Sequence, residues 1–414
     1  MGTVILGAGV TGLAAGMDNN SVILEKENRV GGVVKTHKFG DYWFDNTVHF
    51  LLIKDKVKRI EPLLHDILDH STLVVWVETK EGRVRYPFQL NIGGLNEEVH
   101  GKCLHDFLNK PKGDPENYEQ FLVNTFGKAM CDIFFFPYNN KSWKFPLDEM
   151  TASGQVWNIH QPTTREIING IVNPNITRGN FNTQGYYPVP PKESIHRGME
   201  IVPIKMAKKC NVYLSRLVTK IDIEMNRVLT NGFWIYYDNL FSTIPLPALM
   251  NMCNTPDSLK KDVAKLKWNK MVSIGISIEG ERPDKGHYCY YADPDIPFNK
   301  LTYMHEFDKY SAPPEGYGIL LEVKDDGDTG QILADSINAL KELDILNKNN
   351  KMIDANVWTV DPAYVVFTKD TPRIINDCKE FLYKHNITSS GRYGKWEYSS
   401  MAENINDGFN YADL

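Results

Sequence analysis

Short apolar runs broken by glycine open the chain, and polar–apolar alternation dominates its second half. Val4-Ile-Leu6 is an unbroken apolar run that predicts a buried strand, ended by Gly7. Residues 10–16 can then carry a helix, and Ser21-Val-Ile-Leu-Glu25 reads as a second strand, closing a compact strand–helix–strand unit. Tyr42-Trp-Phe-Asp45 predicts a strand running into a loop. Between Val57 and Leu68, the positions Ile60, Leu63, Leu64, Ile67 and Leu68 fall near helical spacing and predict a helix. Leu73 to Phe88 predicts a hairpin turning at Lys80-Glu-Gly82. From Leu95 to Trp157 the period turns helical, with Tyr118, Phe121, Leu122 and Phe126 forming one apolar stripe. Val202 to Cys210 predicts a further helix, followed by strands at 212–214 and 218–223. A return strand runs toward Ser242, and Pro245 and Pro247 mark the exit from the sheet. Val272 to Ile278 alternates and predicts the first strand of a second sheet, with Gly318 to Val323 as the next; Ile332 to Leu346 predicts an amphipathic helix.

Composition narrows the class. Hydrophobic residues at 42% and charged residues at 24% describe a globular chain with a sizeable core, and 414 residues allow two or three domains. Lys and Arg number 46 against 52 Asp and Glu, a net charge of −6, so no basic field points to nucleic acid. The six cysteines (Cys103, Cys131, Cys210, Cys253, Cys289 and Cys378) include no C-x-x-C pair and read as reduced thiols of a cytoplasmic protein, with no metal site. The first strand follows Met1-Gly2 too closely for a signal peptide, and no apolar run has membrane-spanning length, so no membrane insertion is expected. The acidic loop Lys324 to Gly330 reads as solvated rather than as a cation site.

The chemistry starts at the first turn. Gly7, Gly9 and Gly12 stand at G-x-G-x-x-G spacing between a strand and a helix. One glycine turns tightly, one lets backbone approach a pyrophosphate, and one lets helix pack on strand, while the helix start offers free N–H groups to the phosphates. Glu25 ends the second strand, 13 positions after Gly12, where an acid accepts hydrogen bonds from ribose hydroxyls. Glu25-x-x-x-Arg29 and then Gly31-Gly32 follow. That sequence resembles the second dinucleotide fingerprint of FAD enzymes in the amine oxidase, protoporphyrinogen oxidase and UDP-galactopyranose mutase superfamily. The resemblance implies FAD, reduced for activity, and puts Val218 against adenine. It also puts His49, four residues after Asp45, beside the flavin ring; Thr47 and Val48 stand where family members carry glycines.

Later motifs sharpen the resemblance. An aromatic cluster is more often core than site, but Pro137-Tyr-Asn139-Asn-Lys141-Ser-Trp143 resembles the motif of the UDP-galactopyranose mutases, chiefly the eukaryotic ones. There the Asn and Trp, here Asn139 and Trp143, border the sugar nucleotide, and an aromatic face suits uracil. Tyr290 and Lys300 stand ten positions apart, where the family has a Tyr and a diphosphate-binding Arg. Tyr364 matches a further family tyrosine. Gly391-Arg392-Tyr-Gly-Lys-Trp396-Glu-Tyr398 resembles the C-terminal signature, which implies Arg392 on the FAD pyrophosphate and Tyr398 on the substrate diphosphate. A helix starting near Met401 would point its N-terminus at the flavin O2 edge.

The resemblance implies an α/β fold: a Rossmann-like FAD-binding domain (1–55, 185–242 and 376–414), an inserted, mainly helical domain (92–183), and an antiparallel-sheet substrate domain (56–91 and 243–375). It implies a mutase interconverting pyranose and furanose forms of a UDP-sugar, UDP-galactose foremost, by attack of reduced flavin N5 on the anomeric carbon. His49, Lys300, Tyr364 and Tyr398 are the candidate catalytic residues; Asn139, Trp143, Arg178, Tyr186 and Tyr290 join the last three on the substrate. Three departures stand against this. Tyr186 replaces an expected Arg, for which Arg178 would have to compensate; Lys300 replaces a second Arg and loses its bidentate fork; Ser400 and Ala402 stand where an acid or amide is expected after Tyr398. A flavin amine oxidase or dehydrogenase and a non-catalytic FAD-binding relic are the alternatives. The oligomeric state, a homodimer included, is left open.

Overall fold

The computed structural model describes residues 2–413 apart from 53–57, 155–158, 177, 179–181 and 326. Val57 and Trp157, the ends of two expected helical stretches, and Asp326 of the acidic loop lie outside the described residues. A five-stranded sheet runs in the order Asn211–Tyr213, Val22–Leu24, Thr3–Leu6, Asn239–Ser242, Ile387–Ser389, and all its pairings are parallel. Its strands are covered on both sides. Ile5, Ile23 and Phe241 face a cluster with Leu13, Met401, Ile405 and Phe409, while Val4, Leu6, Leu24 and Leu240 face one with Leu382 and Trp396.

The helix Val10–Gly16 is buried along its whole length, and small residues make that burial achievable. A Cβ at Gly12 would stand 2.0 Å from the Gly7 carbonyl oxygen, and one at Gly16 2.7 Å from Ile23 Cδ1. The C-terminal helix Met401–Ala412 lies on the first helix through Gly408, whose Cβ would fall 2.2 Å from the Thr11 carbonyl oxygen. The two ends of the chain therefore meet at backbone contact distance.

A seven-stranded sheet carries the second half. Its order is Lys351–Val366, Lys267–Glu279, Gly316–Lys324, Phe298–Tyr303, Tyr288–Tyr291, Val75–Thr79, Gly82–Arg85. The pairing is antiparallel except between Tyr288–Tyr291 and Val75–Thr79, which come from distant parts of the chain and are not bound by a hairpin turn. The alternation expected of Val272 to Ile278 does not become half-burial: every residue from Met271 to Ile278 is buried. The apolar face packs under the helix Thr329–Glu342, and the face of small residues is filled by Phe44, which a Cβ at Gly275 or Gly318 would meet at 2.9 or 2.8 Å.

Two expectations change. The helix predicted between Val57 and Leu68 reduces to Glu61–Leu64, because Leu68–Thr72 instead pairs with Gln184–Pro188. Sequence patterning also did not predict the sixteen-residue strand Lys351–Val366, an edge strand with few fully buried side chains. It exists because Lys267–Glu279 offers it a full-length partner. In the helical region, a π-helical turn at Cys131–Phe135 leads into Phe136–Trp143, which carries Pro137 in its first turn.

Two helical glycines should respond oppositely to alanine. Gly408→Ala drives a Cβ into backbone and is expected to cost about 2–3 kcal/mol, whereas Gly101→Ala, in the helix Glu97–Leu108 with nothing near its Cβ, should gain up to ~1 kcal/mol. Urea denaturation of both variants checks this; equal midpoints would remove the close-approach account.

Candidate functional site

The first turn opens on a trough. Gly7 has a φ of +96°, and Gly9 precedes the helix in extended conformation with no side chain capping it. A Cβ at Gly9 would meet nothing within 4 Å, so the turn faces open space there. Gly31 donates its N–H to the Ala8 carbonyl at 2.9 Å, bringing the second glycine pair alongside, and a Cβ at Gly32 would lie 3.3 Å from Gly9 Cα. Glu25 is buried at the strand end and accepts N–H groups from Ala8 at 2.7 Å and Glu27 at 2.9 Å. Val218 is buried at the start of Val218–Asp222. Arg29 is engaged elsewhere, on the Thr36 carbonyl at 2.9 Å and Glu200 at 3.2 Å.

At the other end Arg392 lies over the ring of Tyr398 at 4.3 Å and that of Tyr364 at 5.2 Å, and its Nε is shut off from solvent with no partner among the described residues. Met401 begins its helix as expected. A capping box that sequence reading missed, Ser400 with Glu403, already occupies part of that helix start. Its S-x-x-E spacing was the available signal.

His49 donates from Nδ1 to the Thr47 carbonyl at 2.7 Å or shares that nitrogen with the Thr47 hydroxyl at 3.2 Å. Burial pushes its imidazole down to about 4, helped by the nearby Arg392 and Lys300 cations, so it is neutral near pH 7. Behind it Asp45 accepts from the Thr36 and Tyr187 hydroxyls, both at 2.8 Å, and from Met199 N at 3.1 Å. This tie fixes where the loop toward His49 leaves its strand.

A cavity of about 250 Å³ brings together Asn139, Trp143, Tyr290, Lys300, Tyr364 and Tyr398, with Tyr86, Gln89, Tyr118, Asn299 and Glu322 also in its wall. Asn139 Oδ1 accepts from Trp143 Nε1 at 3.0 Å and the Tyr118 hydroxyl at 3.1 Å, while its Nδ2 donates to the Phe135 carbonyl at 2.7 Å. The indole is thus held by the amide, and most of the amide's own capacity is engaged. Lys141 does not join the cavity wall. Its Nζ donates to the carbonyls of Asp293, Ile296 and Phe298 and pins that loop.

Glu322 was not foreseen as a site residue. It is the lone carboxylate in the strand Gly316–Lys324, whose only other charged residue is the terminal Lys324, which was the available signal, and its Oε1 lies 2.6 Å from Lys300 Nζ. Both partners are largely buried, so the ammonium is held by one carboxylate rather than by water. Burial and neighbouring phenols raise the Tyr290 phenol well above its usual range; for Tyr364 the neighbouring Tyr398 is the larger cause and burial the second. Those hydroxyls therefore remain protonated donors.

Arg178 and Tyr186 are not brought to the cavity. Arg178 donates to the carbonyls of Leu90 and Asn173, both at 3.1 Å, and Tyr186 lies on the central strand of a separate three-stranded sheet, edge-on to His70. Neither compensates for a missing guanidinium in this structure. The six cysteines are free, and no helix among the described residues is long and apolar enough to cross a membrane.

A parallel-sheet fold with a glycine trough at its first turn defines a dinucleotide-binding protein. The chain belongs to the flavin containing amine oxidoreductases, which it matches over residues 8–277, and its cofactor is FAD. The open cradle at Gly9, the buried acid Glu25 and the unpartnered Arg392 Nε fit that cofactor. Among solved structures it is similar to a reduced UDP-galactopyranose mutase, with a TM-score of 0.91 and 22% identity over 100% of this chain and 93% of that one. A protein of Exiguobacterium sp. 255-15 assigned as a protoporphyrinogen oxidase follows at a TM-score of 0.74, 16% identity, and coverage of 99% and 97%. A putrescine oxidase variant matches at 0.63 with 14% identity, over 100% and 98% of the two chains.

Acid should destabilise the fold through its buried histidines. Burial pushes His49, His287 and His305 each down to about 4 from 6.5. Between those pH values the unfolded chain binds more protons, so their contribution is complete above pH 6.5 and falls as pH drops toward 4. Asp45, raised by burial from 3.8 to about 6, works in the opposite direction, so the comparison must be by difference. Urea midpoints measured from pH 7 to 4.5 should fall less steeply for His49→Asn than for the parent; parallel curves would mean that the imidazole is not held neutral.

Proposed function

We propose that the protein is a flavin-dependent sugar-nucleotide mutase that interconverts the pyranose and furanose forms of a UDP-sugar, with UDP-galactose as the first candidate. The observation that carries this reading is the meeting of Asn139, Trp143, Tyr290, Lys300, Tyr364 and Tyr398, from separate parts of the chain, in one cavity. Trp143 and Tyr118 offer flat apolar faces to a uracil. Lys300 and the protonated phenols of Tyr290 and Tyr364 supply donors, with Tyr398 beside them, to a diphosphate that must leave and return within the site. Gly7, Gly9, Gly12, Gly31, Gly32 and Arg392 would hold the FAD pyrophosphate, Glu25 its ribose, and His49 would stand beside the flavin ring. Reduced flavin supplies the nucleophile when bound. Neutral His49 puts no extra cation beside it. Six free cysteines support a reducing, cytoplasmic setting.

Oxidation of an amine is the second reading. It is favoured by family membership and by Glu322, a carboxylate able to pair with an ammonium. Against it, that carboxylate already pairs with Lys300 at 2.6 Å. The rings of Tyr364 and Tyr398 also stack at 5.4 Å and 9°, too close for a guest between them, since contact with two faces needs about 7 Å.

The FAD-loaded enzyme, reduced anaerobically with dithionite and given UDP-galactofuranose, should form UDP-galactopyranose, followed by chromatography; the oxidised enzyme should not. Hydrogen peroxide released from amines, with no UDP-sugar conversion, would transfer the assignment to the second reading. Lys300→Ala is expected to weaken UDP binding at least about tenfold while FAD binding changes by less than about twofold. Equal loss of both would take Lys300 off the substrate.

A further inference from the structure

We propose that Glu322 takes up a proton when a diphosphate binds, exchanging its salt bridge with Lys300 for an O–H donor to the ligand. This rests on the sugar-nucleotide reading of the cavity. The carboxylate stands opposite Lys300 where Phe298–Tyr303 pairs with Gly316–Lys324, and the two close to 2.6 Å. Their side chains are only 7% and 12% exposed, so water screens neither charge well. Lys300 is the only lysine or arginine in the cavity wall among the described residues; His160, in the same wall, pairs with Glu166 at 3.0 Å. One ammonium must therefore serve both the carboxylate and an incoming anion.

Two anions that both bond the same nitrogen lie within about 5.5 Å of each other. At an effective dielectric of about 20, each unit charge so placed favours the protonated acid by about a hundredfold. The groups around the carboxylate cannot absorb the excess. Tyr288, Tyr138 and Tyr364 face it from the strand Tyr288–Tyr291, the helix Phe136–Trp143 and the edge strand, and all three phenols are held protonated. His49 faces it from the flavin-side loop and is neutral near pH 7. Arg392 acts on His49 and Tyr364, and is assigned to the FAD pyrophosphate. Lys324, two residues along the same strand, turns to the Asp325 carbonyl at 2.8 Å. Val48 N–H, 3.4 Å from Oε1, is a neutral donor that suits either form of the acid. The proton comes from solvent and ends on a carboxylate oxygen, and no bond of the ligand breaks. The resulting O–H gives the diphosphate a second donor beside Lys300, which lacks the fork of a guanidinium.

The test is calorimetric titration of the oxidised, FAD-loaded protein with UDP-galactose and with uridine, in buffers of different ionisation enthalpy. The dependence of heat on buffer gives the protons taken up. UDP-galactose has no phosphate that titrates near neutral pH, so the uptake reports on the protein. The parent should take up about one proton per UDP-galactose at about pH 7.5, and almost none with uridine. Glu322→Gln, which has the shape of the neutral acid, should take up almost none with either ligand. Between about pH 6.5 and 8.5 the UDP-galactose affinity of the parent should fall about tenfold relative to that of the variant. Lys141, held down to about 7 by burial, titrates in both proteins and cancels in that ratio. UDP-galactose binding by the parent without proton uptake would overturn the assignment and leave the sugar-nucleotide reading standing. Undiminished uptake by the Gln variant would put the proton on another group and overturn it as well. If the variant does not load FAD, the parent decides alone, and equal uptake with both ligands overturns the assignment. A parent that binds no UDP-galactose, with its flavin oxidised or reduced, would remove both readings.

Discussion

The structure depends on how closely backbone can approach backbone at its first turn. Gly12 leaves no room for even one carbon beside the Gly7 carbonyl, and Gly408 leaves none beside Thr11. Those approaches seat the helix Val10–Gly16 on the parallel sheet and bring Met401–Ala412 from the far end of the chain against it. The trough at Gly9 is the space that this packing leaves open. Arg392 and Tyr398 reach the site because the segment just before that C-terminal helix is anchored by the same contact.

Burial governs the chemistry of the slot as firmly as it governs packing. His49 is kept neutral, the Tyr290 and Tyr364 phenols keep their protons, and Lys300 shares its charge with Glu322. Such a site is rich in donors and poor in strong acid–base pairs. The proposed mutase reading draws on that balance, since a departing and returning anionic group needs donors rather than an activated base. The stacked pair Tyr364 and Tyr398 adds a steric statement to the electrostatic one, because its closure leaves no space between the rings.

Much of the site was legible because its motifs are local. The glycines of the first turn, the Asn139–Trp143 pair and Arg392-to-Tyr398 each lie within a few residues of their partners, where spacing alone constrains geometry, and Glu25 meets Ala8, 17 positions away, inside a single strand–helix–strand unit. Glu322 was harder: its partner Lys300 is 22 positions away and is met only by strand register. Asn299 joins the cavity wall at a register shift between Phe298–Tyr303 and Gly316–Lys324, and such a bulge is a property of two strands that cannot be read from one. Arg178 shows the converse, a suitable residue type whose guanidinium is taken up by the carbonyls of Leu90 and Asn173.

By itself the sequence determined the strand–turn–helix opening, the FAD fingerprint and the order of the later motifs, because those depend on apolar periodicity and on glycine at fixed offsets. Tertiary structure decided the rest. It made a strand of the largely solvent-facing segment Lys351–Val366, cut the helix before Leu68 to one turn, and buried both faces of the stretch from Met271 to Ile278. It also paired Lys300 with Glu322. In each case the deciding partner lies far along the chain, and the free energy of meeting it exceeds any preference a local stretch can express.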